Sequence, residues 1–296
     1  MKKSLSLSNQ NSLTKVLNYF NFIKFEHTIF ALPFALSGAL LAQEQGFPNL
    51  STIFWIVLAM AGGRSFAMSI NRILDKDIDL KNPRTKLREL PQETITKNQA
   101  ILFSTIALIT FIYATLQLPR ICLYLLPIAA IWFYLYPYTK RFTSLCHIWL
   151  GIALGASVLA GWIAVTGAIN SIIPFILGLA VTFWVAGFDI IYACQDYSFD
   201  KETNLYSIPT RFGIKNALNI SRVFHIFTIL FLALLGYICQ MTFIYWVSVI
   251  FVFLMLSYEQ SLVKENDLSK VNLAFFTING WVSIGFFVFI VLEKSI

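Results

Sequence analysis

The sequence carries little charge for its length. Only 12% of its 296 residues are Asp, Glu, Lys or Arg, about half of the ~25% that soluble domains contain. Hydrophobic residues make up 57% of the chain, and its mean hydropathy is +0.70. This composition, with many long apolar runs, excludes a soluble globular domain and indicates that lipid is the main solvent of the fold.

Paired cysteines and a concentrated basic stripe are also missing. The four cysteines form no C-x-x-C pair and lie in or beside apolar segments, where they are expected to pack as small hydrophobic residues. The net charge of +7 comes from basic residues spread over polar loops, which is typical of cytoplasmic loops in membrane proteins. We therefore expect a lipid bilayer and no nucleic acid among the partners.

Long apolar segments recur along the chain. Each is close to the ~20 residues that a helix needs to cross a bilayer, and the runs are continuous rather than alternating, which favours helices over strands. The predicted spans are 25–43, 52–71, 99–118, 121–137, 148–169, 172–192, 218–239, 242–258 and 273–292.

The distribution of basic residues predicts the orientation. If the N-terminus is cytoplasmic, 19 of the 22 Lys and Arg residues lie in cytoplasmic segments, Arg64 lies within a span, and only Arg120 and Lys294 lie outside. We therefore expect an all-α, multi-pass protein of the bacterial cytoplasmic (inner) membrane, with about nine transmembrane helices, a cytoplasmic N-terminus and a periplasmic C-terminus. Residues 1–24 would form a cytoplasmic segment and 25–296 one membrane domain, with longer cytoplasmic loops at about 72–98 and 193–217.

The first of these loops opens with an acidic motif. Asn71, Asp75 and Asp79 are four residues apart, a spacing that places them on one face of a helix emerging from the second span. Pro83 is expected to end that helix.

The second loop repeats the pattern. Asp189, Asp196 and Asp200 would again share a helical face, and Asp196 and Asp200 each follow their counterparts in the first motif by 121 residues. A repeat on the same side of the membrane indicates two halves that face one shared cavity.

Carboxylates grouped in this way repel one another unless a cation lies between them. Sites made only of oxygen suit Mg²⁺, which keeps phosphate groups in its shell. A prenyl diphosphate combines a charged head for such a metal with a tail suited to a membrane bundle. The alternative for one motif alone is a solvated helix whose Asp residues pair with nearby Lys and Arg; two copies favour the metal and diphosphate.

These motifs resemble those of the UbiA superfamily of membrane prenyltransferases. That family carries N-x-x-x-D-x-x-x-D after its second helix, as at 71–79, and D-x-x-x-D after its sixth, as at 196–200. The stretch Tyr-Pro-Tyr-Thr-Lys-Arg at 136–141 is similar to the family's Tyr-Pro-x-x-Lys-Arg element. The resemblance covers about residues 24–215 and implies a ring of nine helices around a central cavity.

The resemblance also implies the site and its chemistry. The Asp residues would bind two Mg²⁺ ions and a polyprenyl diphosphate, and an aromatic acid would accept the prenyl group. Lys140 would contact the diphosphate, or serve only as a basic anchor. The expected catalytic residues are Asp75, Asp79, Asp196, Asp200 and Asp189; the expected metal ligands are Asp75, Asp79, Asp196, Asp200 and Asn71; the expected substrate contacts are Asn71, Lys140, Arg64, Tyr192, Arg72 and Arg84.

Finer patterns are similar to the quinone-pathway branch of that family. Asn82-Pro83 and Ser-Ile-Pro at 207–209 resemble enzymes of the futalosine route to menaquinone, whose acceptor is a dihydroxynaphthoate, more than the 4-hydroxybenzoate enzymes of ubiquinone biosynthesis. Transfer to a porphyrin or chlorin ring, or membrane transport, are the alternatives.

Several polar residues have open interpretations. Arg64 lies within a span, where it could hold the acceptor carboxylate or pair with an acid such as Asp189. Tyr192 could shield a cation with its ring or pack in the core, and His27 beside Glu26 could be a polar pair at the membrane surface or take part in the site. We expect His147 to be structural.

Overall fold

Helices account for most of the chain that the computed structural model describes, residues 18–24 and 28–296, and the only extended pairing there is one bridge between Lys264 and Asp267. After a helical turn at 18–22, the α-helices are α1 (Thr28–Ala42), α2 (Leu50–Leu74), α3 (Lys76–Lys81), α4 (Lys97–Leu116), α5 (Arg120–Leu135), α6 (Cys146–Thr166), α7 (Ile173–Ala193), α8 (Tyr197–Glu202), α9 (Ile208–Ile238), α10 (Phe243–Leu262) and α11 (Asn279–Lys294). Short 3₁₀ helices cover Tyr136–Arg141 and Cys194–Asp196, and a π-helix covers Leu273–Ile278.

Eight helices in the described part of the chain are long and apolar enough to cross a membrane. They correspond to the second through ninth predicted spans. The first predicted span corresponds to α1, whose described portion has 15 residues with Pro33 inside it. The prediction of an all-helical, multi-pass membrane protein is confirmed.

One boundary differs clearly from the prediction. The helix expected from residue 218 begins at Ile208, because Ser207 and Thr210 form a capping box that starts it earlier. Gly213 interrupts it with a left-handed φ of 79°, a conformation that glycine adopts without a steric cost. The loop predicted at 193–217 is therefore largely helical.

Contacts between neighbouring helices close two circuits. One runs through α1, α2, α4, α5 and α6, and the other through α1, α6, α7, α9, α10 and α11. α1 and α6 pack against each other and so belong to both. Inside the second circuit, an apolar core with a small pocket is lined by residues that include Phe34, Trp184, Leu232, Val252 and Phe286.

Small residues bring α6 and α7 into close contact. A Cβ atom on Gly151 would lie 2.3 Å from the carbonyl oxygen of Thr182, and one on Gly155 would lie 2.4 Å from that of Gly178. Both distances are below van der Waals contact, so neither helix tolerates a larger side chain there. Close packing at small residues is how membrane helices associate.

We predict that Gly151→Ala separates α6 from α7 and lowers the thermal unfolding temperature of the detergent-solubilised protein, because overpacking costs about 1–3 kcal/mol. Gly63→Ala is the matched control, since a Cβ there would meet only ring carbons of Phe133 and Phe111, at 3.3 Å or more. Equal unfolding temperatures for the two variants would contradict the proposed close packing.

Candidate active site

The first acidic motif lies at the end of α2. Asp75 follows the last residue of α2 with φ −95° and ψ 4°, and the six-residue helix α3 starts immediately after it. The amide of Asp75 still donates to the carbonyl of Asn71, and that of Asp79 to the carbonyl of Asp75, at 3.0 and 2.8 Å. The predicted helical spacing is thus kept through an interruption at Asp75, and both aspartates are buried.

The second motif repeats this local structure. Asp196 ends a short 3₁₀ helix with φ −96° and ψ 4° and is likewise followed by a six-residue helix, α8. Asp200 occupies the same place in α8 as Asp79 in α3. The backbone therefore supports the internal repeat. The 3₁₀ turn also separates Asp189, on α7, from the helix of Asp200, so these aspartates lie on consecutive helical segments rather than on one regular helix, and their common face stays a prediction.

The two motifs meet directly. The side-chain amide of Asn82 donates to Oδ1 of Asp196 at 3.0 Å. Arg84 donates from Nε to Oδ1 and from Nη2 to Oδ2 of the same carboxylate, at 2.8 and 2.5 Å. Burial lowers the pKa of Arg84, but the hydrogen bonds that it donates to Asp196 and Tyr192, and its electrostatic interactions with the same two residues, together raise it above its ordinary value. This guanidinium is a fixed cation between the motifs.

The 3₁₀ helix Tyr136–Arg141 supplies a second cation. Lys140 Nζ lies 2.5 Å from Oδ2 of Asp75, and the Asn71 amide donates to the same oxygen at 3.4 Å. Arg141 lies 3.6 Å from Oδ1 of Asp75, but that buried oxygen accepts no hydrogen bond. The backbone carbonyl of Lys140 accepts from Tyr206, which ties this segment to the second loop.

The remaining motif aspartates differ from each other. Arg88 Nη1 donates to both carboxylate oxygens of Asp79 at 2.8 Å. The carboxylate of Asp200 forms no hydrogen bond or ion pair with the residues that the structure describes. Across those residues, no three His, Cys, Asp or Glu side chains converge as a metal-ligand group, because basic side chains hold Asp75, Asp79 and Asp196.

The two acidic motifs, at 71–79 and 196–200, and the segment Tyr136–Arg141 together form an acidic cap on the helices. Tyr192 joins this acidic cap to the apolar core. Its hydroxyl accepts from Nη1 of Arg84 at 2.7 Å, and the guanidinium lies 4.9 Å from its ring centroid. The same ring lies 4.2 Å from that of Phe275. Tyr192 therefore both faces a cation and packs in the core.

The structure adds a residue that the sequence did not indicate. His147 Nδ1 lies 2.7 Å from Oδ2 of Asp189, and its Nε2 accepts from the amide of Ile208 at 3.3 Å. This pattern places the proton on Nδ1, which donates to Asp189. His147 is buried at the start of α6, and only its position next to the predicted span 148–169 could have pointed to it, because no sequence pattern links it to Asp189.

Two predicted substrate contacts lie against the N-terminal segment. Arg64 Nη2 donates to the carbonyl of Lys24 at 3.2 Å, and Arg72 Nε donates to that of Phe22 at 3.3 Å. Phe22 packs against Leu90 of the first loop, 72–98. Substrate contact by either arginine stays a prediction. Asp189, the acid suggested as an alternative partner for Arg64, pairs with His147. Glu26 and His27 lie outside the described residues.

Comparisons with known proteins agree with this architecture. The model of the UbiA prenyltransferase family matches residues 31–282. The 4-hydroxybenzoate octaprenyltransferase of Tolumonas auensis is 29% identical over 258 residues, which cover 86% of this chain and 88% of that protein. The mitochondrial 4-hydroxybenzoate polyprenyltransferase of Arabidopsis thaliana is 32% identical over 220 residues, 74% of this chain; the match spans 54% of that protein, about half its length.

Solved structures show the same fold. The apo structure of a UbiA homolog from Aeropyrum pernix is 31% identical, with a TM-score of 0.83 over 90% of this chain and 98% of that one. A UbiA homolog from Archaeoglobus fulgidus bound to GPP and Mg²⁺ has a TM-score of 0.77 over 94% of this chain and 100% of that one, and at 21% identity it supports the fold alone. Since the family model matches most of the chain, this multi-pass membrane protein is a transferase that belongs to the UbiA prenyltransferase family.

Proposed function

We propose that this protein transfers a polyprenyl group from a polyprenyl diphosphate to an aromatic quinone precursor, with Mg²⁺ as cofactor. The observation that carries the proposal is the direct meeting of the two acidic motifs, where Asn82 and Arg84 of the first loop hold Asp196 of the second. The relatives named as 4-hydroxybenzoate prenyltransferases support these substrates, and a solved homolog that shares the fold is bound to GPP and Mg²⁺.

The residues present fit a magnesium site. Their donors are carboxylate and amide oxygens, the ligands that Mg²⁺ prefers. One of them, Oδ1 of Asp75, is buried without a hydrogen bond and so retains an unused lone pair. The residues that would hold the metal are Asn71, Asp75, Asp79, Asp196 and Asp200. Bound there, Mg²⁺ would neutralise the diphosphate as it leaves.

The basic residues have a matching role. Lys140 and Arg84 now balance Asp75 and Asp196, and both can turn to diphosphate oxygens once a metal neutralises these carboxylates. Arg72 is a further candidate for that anion. Fixed cations at the position where negative charge develops lower the barrier to breaking the allylic C–O bond.

The chain's own groups then complete the reaction. The C–O bond breaks to give diphosphate and an allyl cation, and the ring of Tyr192 shields that cation with its face. The electron-rich acceptor ring forms the new C–C bond. Its displaced proton passes to the carboxylate of Asp189, which the Nδ1–H of His147 holds in place; where attack occurs at the carboxyl-bearing carbon, carbon dioxide leaves instead.

The acceptor is either a dihydroxynaphthoate or 4-hydroxybenzoate, so the enzyme acts in menaquinone or ubiquinone biosynthesis. The names of the relatives favour 4-hydroxybenzoate, whereas Asn82-Pro83 and the Ser-Ile-Pro at 207–209 favour the naphthoate. Arg64, polar within a span, is the candidate for the acceptor carboxylate.

The acidic cap faces the cytoplasm of a bacterium, and the protein lies in the inner membrane. The basic residues support this orientation, because those of the cap segments account for most of the chain's positive charge. In this arrangement residues 1–24 are a cytoplasmic segment, the C-terminus is periplasmic, and 25–296 form one prenyltransferase domain.

We expect purified protein with Mg²⁺ and a polyprenyl diphosphate to prenylate dihydroxynaphthoate or 4-hydroxybenzoate, and to lose this activity when EDTA removes the metal. Mass spectrometry of the product gives the acceptor and the chain length. Transfer only to a porphyrin or chlorin ring would refute the quinone role, and absence of any transfer would refute the proposed function.

Alanine at Asp75 or at Asp196 should lower turnover by roughly a hundredfold or more, because each removes charge that positions the metal and the diphosphate. The matched control is Asp77→Ala, which removes an exposed carboxylate from the same short helix as Asp79. Turnover by an Asp75 or Asp196 variant at the level of the Asp77 variant would show that these carboxylates do not bind the metal.

Lys140→Met should raise KM for the polyprenyl diphosphate by roughly tenfold, because a charge-assisted hydrogen bond to an anion is worth about 1.5–3 kcal/mol. Lys86→Met removes an exposed charge from the first cap loop and should leave that KM unchanged. Initial rates at saturating acceptor separate the two. Equal KM values would leave Lys140 as a basic anchor only.

A further inference from the structure

A glutamic acid is buried in the membrane domain away from the acidic motifs. Glu259 of α10 has no exposed surface. Its Oε1 accepts from the side-chain amide of Asn279, the first residue of α11, at 3.0 Å. Its Oε2 has no hydrogen-bond partner. Ionisable groups inside membrane spans are costly and are usually kept for function.

Glu259 is held as a neutral acid. Of the ion pairs among the described residues, none includes it, and a buried carboxylate without a cation would carry a large desolvation cost. The neutral acid can still accept the hydrogen bond from Asn279 through its carbonyl oxygen. Its role is therefore one of hydrogen bonding and shape rather than of charge.

Asn279 connects three elements. Its amide nitrogen also lies 3.0 Å from the carbonyl oxygen of Ala274 and 3.2 Å from that of Phe275, both in the π-helix Leu273–Ile278. Its Oδ1 accepts from the indole N–H of Trp184, on α7, at 2.7 Å. π-Helical turns are rare and occur most often at functional sites. The side chain of Asn279 thus fixes the π-helix Leu273–Ile278 relative to α7 and α10.

Two short paths lead from this network to the acidic cap. Phe275, whose carbonyl approaches Asn279, packs its ring on Tyr192, and Tyr192 accepts from Arg84 at Asp196. Trp184 lies five residues before Asp189 on the same helix. A shift of the π-helix or of α7 would therefore move both the ring of Tyr192 and the second acidic motif.

We propose that Glu259 and Asn279 are positioning residues for the prenyl-transfer site: their hydrogen bonds hold Phe275 and α7 so that Tyr192, Arg84 and Asp196 keep the geometry that binds the metal diphosphate. This inference rests on the proposed function. It predicts an effect on binding that simple loss of core packing does not produce.

The test compares Glu259→Leu with Glu259→Gln. Leucine removes the acceptor for Asn279, whereas glutamine keeps a carbonyl oxygen at that place. Ser248→Ala is the control, because Ser248 is buried on the same helix and bonds only within it. Binding of Mg²⁺ with a prenyl thiodiphosphate that does not ionise is measured by calorimetry, beside turnover and thermal unfolding.

We expect Glu259→Leu to weaken thiodiphosphate binding and to lower turnover by roughly tenfold each, since small displacements in a site cost one to two orders of magnitude. Glu259→Gln and Ser248→Ala should stay within about twofold of the wild type on the same scale. If Glu259→Leu does not fold, Trp184→Phe replaces the indole with a smaller ring that has no N–H to donate to Asn279 and should weaken binding in the same direction.

Binding by folded Glu259→Leu and Trp184→Phe that equals the Ser248→Ala value would overturn the inference, as would losses that only follow the fraction of unfolded protein. Failure of the proposed function is distinguishable. A wild-type protein that binds the thiodiphosphate but transfers no prenyl group refutes the function, while weaker binding by Glu259→Leu would still support positioning by Glu259.

Discussion

The acidic cap depends on balancing several carboxylates at one end of a bundle that is otherwise apolar. Unbalanced, these groups would repel one another and pay a desolvation cost. The balance comes from cations distant in sequence: Lys140 reaches Asp75 and Arg84 reaches Asp196. Each ion pair therefore also joins two segments of the chain, and the ends of α2, α5 and α7 are held together by the charges that the site requires. A metal that took over these carboxylates would release the same cations toward its phosphate ligand.

The two acidic motifs have the same local backbone structure, but their side chains have different partners. Asp75 and Asp196 share nearly identical φ and ψ values, and each precedes a six-residue helix. Yet Asp79 is held by Arg88 through both oxygens, while Asp200 has no such partner in the described structure. The cation that balances Asp196 of the second motif is Arg84, which lies in the first loop. The second motif consequently depends on the first loop for its counter-ion.

Local patterns in the sequence predicted the spans and the acidic motifs because hydropathy and i, i+4 spacing are properties of neighbouring residues. The close packing at Gly151 and Gly155 was predictable for the same reason. The partners of polar residues were not, because they depend on contacts between helices far apart in sequence. Thus His147 was expected to be structural but pairs with Asp189, Arg64 and Arg72 bond to the N-terminal segment, and nothing local indicated that Glu259 meets Asn279. The early start of α9 was missed because the predicted span followed hydropathy rather than the capping residues at 207–210.

The acids of this fold follow the position of the cations and not their own exposure. Asp196, with its side chain 15% exposed, is paired with a guanidinium, and Asp75, only 2% exposed, is paired with Lys140. Asp189, whose side chain is 23% exposed, is paired with His147. Glu259, with no exposed surface, is bonded to an uncharged amide. This arrangement follows from solvation, because ions are stable only where water or counter-ions reach them. Buried carboxylates can therefore stay charged at the end of the bundle where Lys140, Arg84 and Arg88 lie, whereas Glu259, without a cation, acts as a hydrogen-bonding group.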